Sequence, residues 1–183
     1  MFRQIVRNYE ICDEITQSFN EPIGDSVSPK GLVFHIRDDN SKPTSVLDIG
    51  FGKGNLGALI KSNPETQHWH VDGVDSYLAN CCNSCLVENK LYRNVWHGLV
   101  QEMPFDILKK YDVVCLLDVI EHLNVDVARW LVRSLLTFMG EDSFLFVSTP
   151  LWFYPQNSQQ EGDLEEHLIG VPASSMLALQ PVM

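Results

Sequence analysis

The 183 residues, 45% of them hydrophobic, can bury a sizeable core for one domain but not for two. Thirteen basic against 24 acidic side chains leave a formal net charge of -11, which argues against general attraction to a nucleic-acid backbone or an anionic membrane and favours a small or neutral substrate. No run approaches transmembrane length, the start lacks the apolar core of a secretory signal, and five cysteines, an odd number, suggest no secreted disulfide framework, so a reduced, cytoplasmic protein is expected.

Residues 2–19 place Ile5, Tyr9, Cys12, Ile15 and Phe19 at spacings of three and four, which predicts an amphipathic helix within an N-terminal helical segment, 1–44. The turn-rich "NEPIGDSVSPKG" follows, then a short helix through Leu32–Ile36 and the polar loop "RDDNSKPTS". From Ser45 the texture alternates between strand and helix. "SVLDI" is a buried strand, "NLGALIKSN" a helix with Pro64 just beyond it, and "HWHVDGVDS" a second strand ending near Asp75.

"YLANCCNSCLVENK" reads as one crossover helix and "RNVWHG" as a third strand. Cys81, Cys82 and Cys85 lack a second Cys-x-x-Cys, so they are read as free thiols rather than a zinc site. "YDVVCLLD" is nearly all apolar, as a central parallel strand covered on both faces should be. "VDVARWLVRSLLTFMG" is an amphipathic helix closed by Gly140, and "SFLFVST" is the fifth strand. This order predicts an α/β domain with a doubly wound, mostly parallel sheet and a ligand-binding core over 45–149. Residues 150–183 read as a lid or substrate loop with a short helix near Ser174–Leu179.

"VLDIGFGKGNLG" turns out of the first strand, where open α/β sheets bind ligands. Two ligand classes fit. Gly52-Lys-Gly-Asn-Leu-Gly57 satisfies G-x-G-x-x-G, with Asp75 at the spacing of a ribose-binding acid, as an NAD(P)-dependent oxidoreductase would need. Asp48, two residues before the first glycine, would repel a pyrophosphate but attract the ammonium and sulfonium of S-adenosyl-L-methionine.

"VLDIGFGKGNLG", "GVDSY", "YDVVCLLDVIEHL" and "FLFVSTP" together resemble the class I S-adenosylmethionine-dependent methyltransferases, over roughly Ser45 to Gly170. The resemblance implies a Rossmann-like fold, transfer of a methyl group to an unidentified acceptor, expected to be a small molecule, and a cofactor site of Asp48, Gly50, Phe51, Gly52, Gly54, Asp75, Ser76, Leu99, Asp118 and Val119. Where the family often has a Gly-Asp-Ala-like turn, this chain has Gly98-Leu99-Val100, which leaves adenine to backbone groups, apolar contact or Gln101. The family sheet usually ends in an antiparallel pair after the fifth strand. With about 33 residues after Pro150, the sheet is expected to be shortened at its C-terminus, leaving "SFLFVST" near an edge open to self-association or to a covering segment.

In "DVIEH", Glu121 and His122 are the candidate catalytic residues, His122 as general base. A divalent metal on Glu121, His122 and His167, as in small-RNA 2′-O-methyltransferases with an E-x-x-E-H motif, is the sharper alternative, but no metal is expected. The stretch "TPLWFYPQ…EGDLEEHLIG" resembles a loop bordering the acceptor in certain bacterial and phage methyltransferases, which implies substrate-binding roles for Trp152, Tyr154 and His167. A non-catalytic cofactor-binding protein remains the third alternative.

Overall fold

In the computed structural model, residues 1–12, 21–25, 28–36 and 44–179 are described. The expected N-terminal helix is replaced by an antiparallel hairpin of Arg3–Arg7 (β1) and Glu10–Ile11 (β2). Asn8 and Tyr9 take φ of 52° and 65°, the left-handed pair of a tight hairpin turn, which ends any helical run. The competing force is tertiary. β1 pairs with the strand Asn94–His97, and the register slips between Gln4 and Val6 so that Ile5 and Val6 are both buried. Ile15 and Phe19 of the expected helix lie outside the described residues.

The Rossmann-like centre forms as the apolar runs predict. Ser45–Ile49 (β3), His70–Asp75 (β4), Asn94–His97 (β5), Val113–Leu117 (β6) and Phe144–Ser148 (β7) are parallel, and the whole sheet runs β2-β1-β5-β4-β3-β6-β7. Among the described residues the sheet therefore has seven strands, but its antiparallel pair comes from the N-terminal hairpin and lies beside β5. β7 stands at the opposite edge.

β3 shows why both faces are covered. Val46 joins a cluster with Val71, Val95, Leu56 and Ile60, while Leu47 and Ile49 join Val74, Leu116, Leu131 and Leu135 on the other side. The helices Asn55–Ser62 (α1) and Val125–Phe138 (α4) supply the apolar stripes of the two layers. Asn124 caps α4 by accepting from the Val127 amide at 3.1 Å.

Two helix expectations need correction. The crossover over 77–90 is broken into Leu78–Cys81 (α2) and Cys85–Glu88 (α3), because the Asn83 side chain takes the Cys85 amide and diverts the chain locally. α4 is not closed by a left-handed glycine: Met139 leaves it in an extended conformation (φ -65°, ψ 159°). The short helices at Lys30–His35, in 3-10 form, and Ala173–Leu177 (α5) match the expected places.

Candidate functional site

A cleft of about 860 Å³ opens beyond the carboxyl ends of β3, β4 and β6, where the chain order reverses about β3. Its floor is the glycine loop. Gly52 has φ of 56°, and a Cβ there would stand 3.2 Å from the Ile23 carbonyl oxygen, so the loop lies under a segment that the sequence marked only as turn-rich. Ile23 is tied in place by donating its amide to the buried Asn80 side chain at 2.9 Å.

Two acids flank this floor, each only a few per cent exposed. Asp48 Oδ2 accepts from the Tyr92 hydroxyl at 2.6 Å. Burial pushes the Asp48 carboxyl up to about 6, against the Tyr92 hydrogen bond and the Lys30 ammonium, which pull it down. Asp75 ends β4 and accepts the amides of Gly52 at 2.9 Å and Tyr77 at 2.7 Å. Burial raises it as well, to about 6, against those same amide bonds.

Beyond β6 the chain turns sharply. Asp118 adopts φ of 54°, donates its amide to the Ser148 carbonyl at 3.0 Å, and accepts from the Ser148 hydroxyl at 2.9 Å. The 3-10 turn Ile120–His122 then drops Glu121 inward, to 2% exposure. Neither Glu121 carboxylate oxygen has a hydrogen-bond partner, nor does the Thr149 hydroxyl. Burial pushes Glu121 up to about 7, and the nearby Thr149 hydroxyl only partly offsets this.

The late loop is pinned to that turn. Leu168 and Ile169 both donate their amides to the Glu121 carbonyl, at 2.8 and 3.2 Å, which brings His167 beside His122 with ring centroids 4.6 Å apart. His122 Nδ1 lies 3.2 Å from the Glu166 carbonyl and His167 Nδ1 2.6 Å from the Tyr154 carbonyl. Burial lowers the His122 pKa, with His167 adding to the effect. The potential ligand atoms of Glu121, His122 and His167 lie within 4.8 Å of one another.

Most of the residues singled out by sequence line this one cleft. Gly50, Ser76, Leu99, Asp118 and Val119 line it together with the two acids, and Trp152 and Tyr154 stand exposed on it while His167 is half-buried. Phe51 borders the cleft but is buried, its ring 4.9 Å from that of Tyr92. Gly54 does not line it: a Cβ there would meet Leu86 and Tyr92, so this glycine serves packing under α1.

Several lining residues carried no sequence signal. Lys30 faces Asp48 electrostatically, and Glu165 sits near Asp75 with its carboxyl raised by burial to about 7. Behind the lining, Tyr77 donates its hydroxyl to Gln160 at 2.7 Å, which ties the late loop across the β4 end. These contacts join positions far apart in the chain, and no local pattern announces them.

Comparison with known proteins agrees with this arrangement. A family model described as "Methyltransferase domain" matches residues 7–171. A ubiquinone biosynthesis O-methyltransferase of Rickettsia bellii is 33% identical over 81 residues, which are 43% of this chain and 31% of that protein, so the match spans about a third of the relative's length. Among solved structures, the N-terminal domain of EvdMO1 with SAH bound superposes with a TM-score of 0.57 at 14% identity, covering 84% of this chain and 69% of that one. The mitomycin 7-O-methyltransferase MmcR gives 0.54 at 18% identity, covering 82% and 45%. At such identities the superpositions establish the fold, while the family match spans most of the chain: it belongs to the methyltransferase-domain family, of the class I S-adenosylmethionine-dependent type.

Proposed function

We propose that the chain transfers a methyl group from S-adenosyl-L-methionine to a small-molecule acceptor that enters past Trp152 and Tyr154. The observation that carries this is the charge of the cleft: Asp48, Asp75, Glu121 and Glu165 line it against Lys30 and Lys53. Such an excess of carboxylate suits a cofactor with ammonium and sulfonium groups and opposes a pyrophosphate. The SAH reported with EvdMO1 is the product form of the same cofactor class.

When bound, the cofactor supplies an activated methyl group whose leaving group needs no proton. The chain's own residues position and deprotonate. Asp75, at the end of β4, accepts from the ribose hydroxyls, and Asp48, under the glycine loop, balances the ammonium. Leu99 and Gln101 border the adenine side. His122 and Glu121, after β6, face the acceptor side, where a neutral imidazole takes the acceptor's proton.

The acidic surface supports an acceptor other than nucleic acid. Five free thiols support a cytoplasmic, reducing setting, and the edge strand β7 supports a homo-oligomer. Among the described residues, no helix is long and apolar enough to cross a membrane.

A thermal-shift comparison of S-adenosylhomocysteine with NADH tests the cofactor. Stabilisation by the former is expected, and stabilisation by NADH alone would favour an oxidoreductase. Transfer of labelled methyl to a panel of small phenols, acids and amines then tests catalysis. Tight binding with no transfer to any small or macromolecular acceptor would point to a non-catalytic protein.

A further inference from the structure

We infer that Glu121 and Thr149 form a subsite for a protonated amino group, and that the methyl acceptor is a small amine with an apolar or aromatic body. The inference rests on the methyl-transfer reading of the cleft and names its acceptor class. Three features of the acceptor end point to it.

The first is an unserved carboxylate. The buried Asp72, 2% exposed, is fully served, by Arg93 at 2.6 Å and the Tyr111 hydroxyl at 2.9 Å among others. Glu121 is buried to the same 2% and lines the cleft, yet neither of its oxygens has a hydrogen-bond partner. The buried hydroxyl of Thr149, which lines the cleft beside it, has none either. Polar groups left in that state are costly, so this lining suits a ligand that arrives with hydrogens to donate.

The second is that the neighbouring rings cannot serve it. A backbone carbonyl can only accept, so His122 and His167, in their neutral forms, carry the proton on Nδ1, facing Glu166 and Tyr154. Each Nε2 then holds a lone pair, which offers nothing to a carboxylate. The His122 lone pair stays free for the proton of the nucleophile, and the partner of Glu121 has to come from outside the chain.

The third is charge. The charged side chains that act most on Glu121 are Asp118 and Glu165, both negative. The lysines of the cleft act elsewhere, Lys30 on Asp48 and Lys53 on Glu165. A carboxylate or phenolate acceptor meets repulsion here, and a neutral hydroxyl brings one hydrogen for two carboxylate oxygens. An ammonium group brings three hydrogens and the compensating charge.

The lining also orients such a molecule. Leu151, Trp152 and Tyr154 are exposed on the same cleft, whereas the Glu121 carboxylate and the Thr149 hydroxyl are buried in its wall. The apolar body of the acceptor lies against the aromatic rings and its ammonium group points inward. An apolar surface with a few placed polar groups is the usual way in which a small-molecule site fixes orientation.

The test is calorimetric titration of the full chain in EDTA, with and without S-adenosylhomocysteine. The probes are benzylamine, 2-phenylethylamine and 3-phenylpropylamine, each beside the alcohol and the carboxylic acid of matching length. At least one amine is expected to bind about tenfold or more tighter than its alcohol, and the acids are expected not to bind. Glu121→Gln is expected to weaken amine binding by at least about tenfold and to abolish the preference, and Thr149→Val to lose part of it. Retained stabilisation by S-adenosylhomocysteine shows that a variant folds; should Glu121→Gln lose it, Thr149→Val decides. Acids that bind as tightly as amines, no binding by any amine, binding that needs an added divalent cation, or a preference unchanged in the folded variants overturns the inference. An amine preference in a parent chain that S-adenosylhomocysteine does not stabilise defeats the methyl-transfer reading and the acceptor role with it, while the subsite stands.

Discussion

Tyr92 donates its hydroxyl to Asp48 Oδ2 at 2.6 Å and accepts the Gly57 amide at 3.2 Å, so a residue 44 positions away orients the acid beneath the glycine loop. Asp48 is thus part of a buried chain that also steadies the start of α1. Tyr92→Phe removes both bonds and leaves the Gly57 amide and the Asp48 carboxylate short of a partner. A stability loss of about 1–3 kcal/mol is expected in urea unfolding. S-adenosylhomocysteine affinity is expected to fall as well, because the unanchored carboxylate protonates more readily. An unchanged affinity would separate Asp48 from the cofactor.

Asp48→Asn isolates the charge itself. Burial raises the folded-state pKa from its ordinary 3.8 to about 6, so this acid contributes stability that is fully present below about pH 4 and lost as pH rises through 6. Replacing it with the neutral amide removes that loss. The variant is therefore expected to gain stability relative to the parent between pH 4 and 7, by up to about 3 kcal/mol, while binding S-adenosylhomocysteine more weakly. Comparing the two proteins across that range cancels His97 and His122, whose lowered pKa values act in the opposite direction. A flat difference would show that Asp48 is not held at a raised pKa.

The parallel centre of the fold was legible because runs such as "VVCLL" are buried on both faces and look the same whatever flanks them. The hairpin Arg3–Ile11 was not. Ile5, Tyr9 and Cys12 fit a helical spacing, and only the open edge of β5 decides for a strand. The site divides similarly. Asp48 and Asp75 sit near the carboxyl ends of β3 and β4 and Asp118 directly follows β6, so all three could be placed by position, whereas His167 reaches His122 through two amides on the Glu121 carbonyl, a non-local bond with no sequence signature.

The binding of ligands should follow pH in the opposite sense to the Asp48 contribution. A cationic cofactor needs Asp48 and Asp75 ionised, and burial raises both to about 6. Affinity for S-adenosylmethionine is expected to be level above pH 7 and to fall below 6, by up to tenfold per pH unit for each acid. Titrations between pH 5 and 8 check this, and affinity that rose on acidification would contradict the charge argument for the cleft.

Gly50 carries a steric constraint as well as φ of 72°. A Cβ there would stand 2.6 Å from Val119 Cγ2, so the loop after β3 and the turn after β6 fit only without a side chain. Gly50→Ala is expected to cost about 1–3 kcal/mol and to weaken cofactor binding. Val119→Ala in the same chain removes the clash but not the backbone strain, so partial recovery is expected. A double-mutant cycle measures it, and strict additivity would mean that the two residues do not press on each other.

Trp152 and Tyr154 are 67% and 59% exposed, so their rings contribute little to the core. Truncation of Trp152 to Ala should therefore leave thermal stability within about 0.5 kcal/mol of the parent. If the ring bounds the acceptor, the same change raises the acceptor KM several-fold and leaves the cofactor Kd alone, because the cofactor acids lie at the ends of β3 and β4. Tyr154 is different, since its carbonyl receives His167 Nδ1. Tyr154→Phe keeps that carbonyl and the ring, and is expected to be mild, whereas Tyr154→Pro would move the carbonyl and disturb His167. Steady-state kinetics with an acceptor from the labelled-methyl panel distinguish these effects, and a Trp152→Ala enzyme with unchanged acceptor KM would remove the mouth of the cleft from substrate recognition.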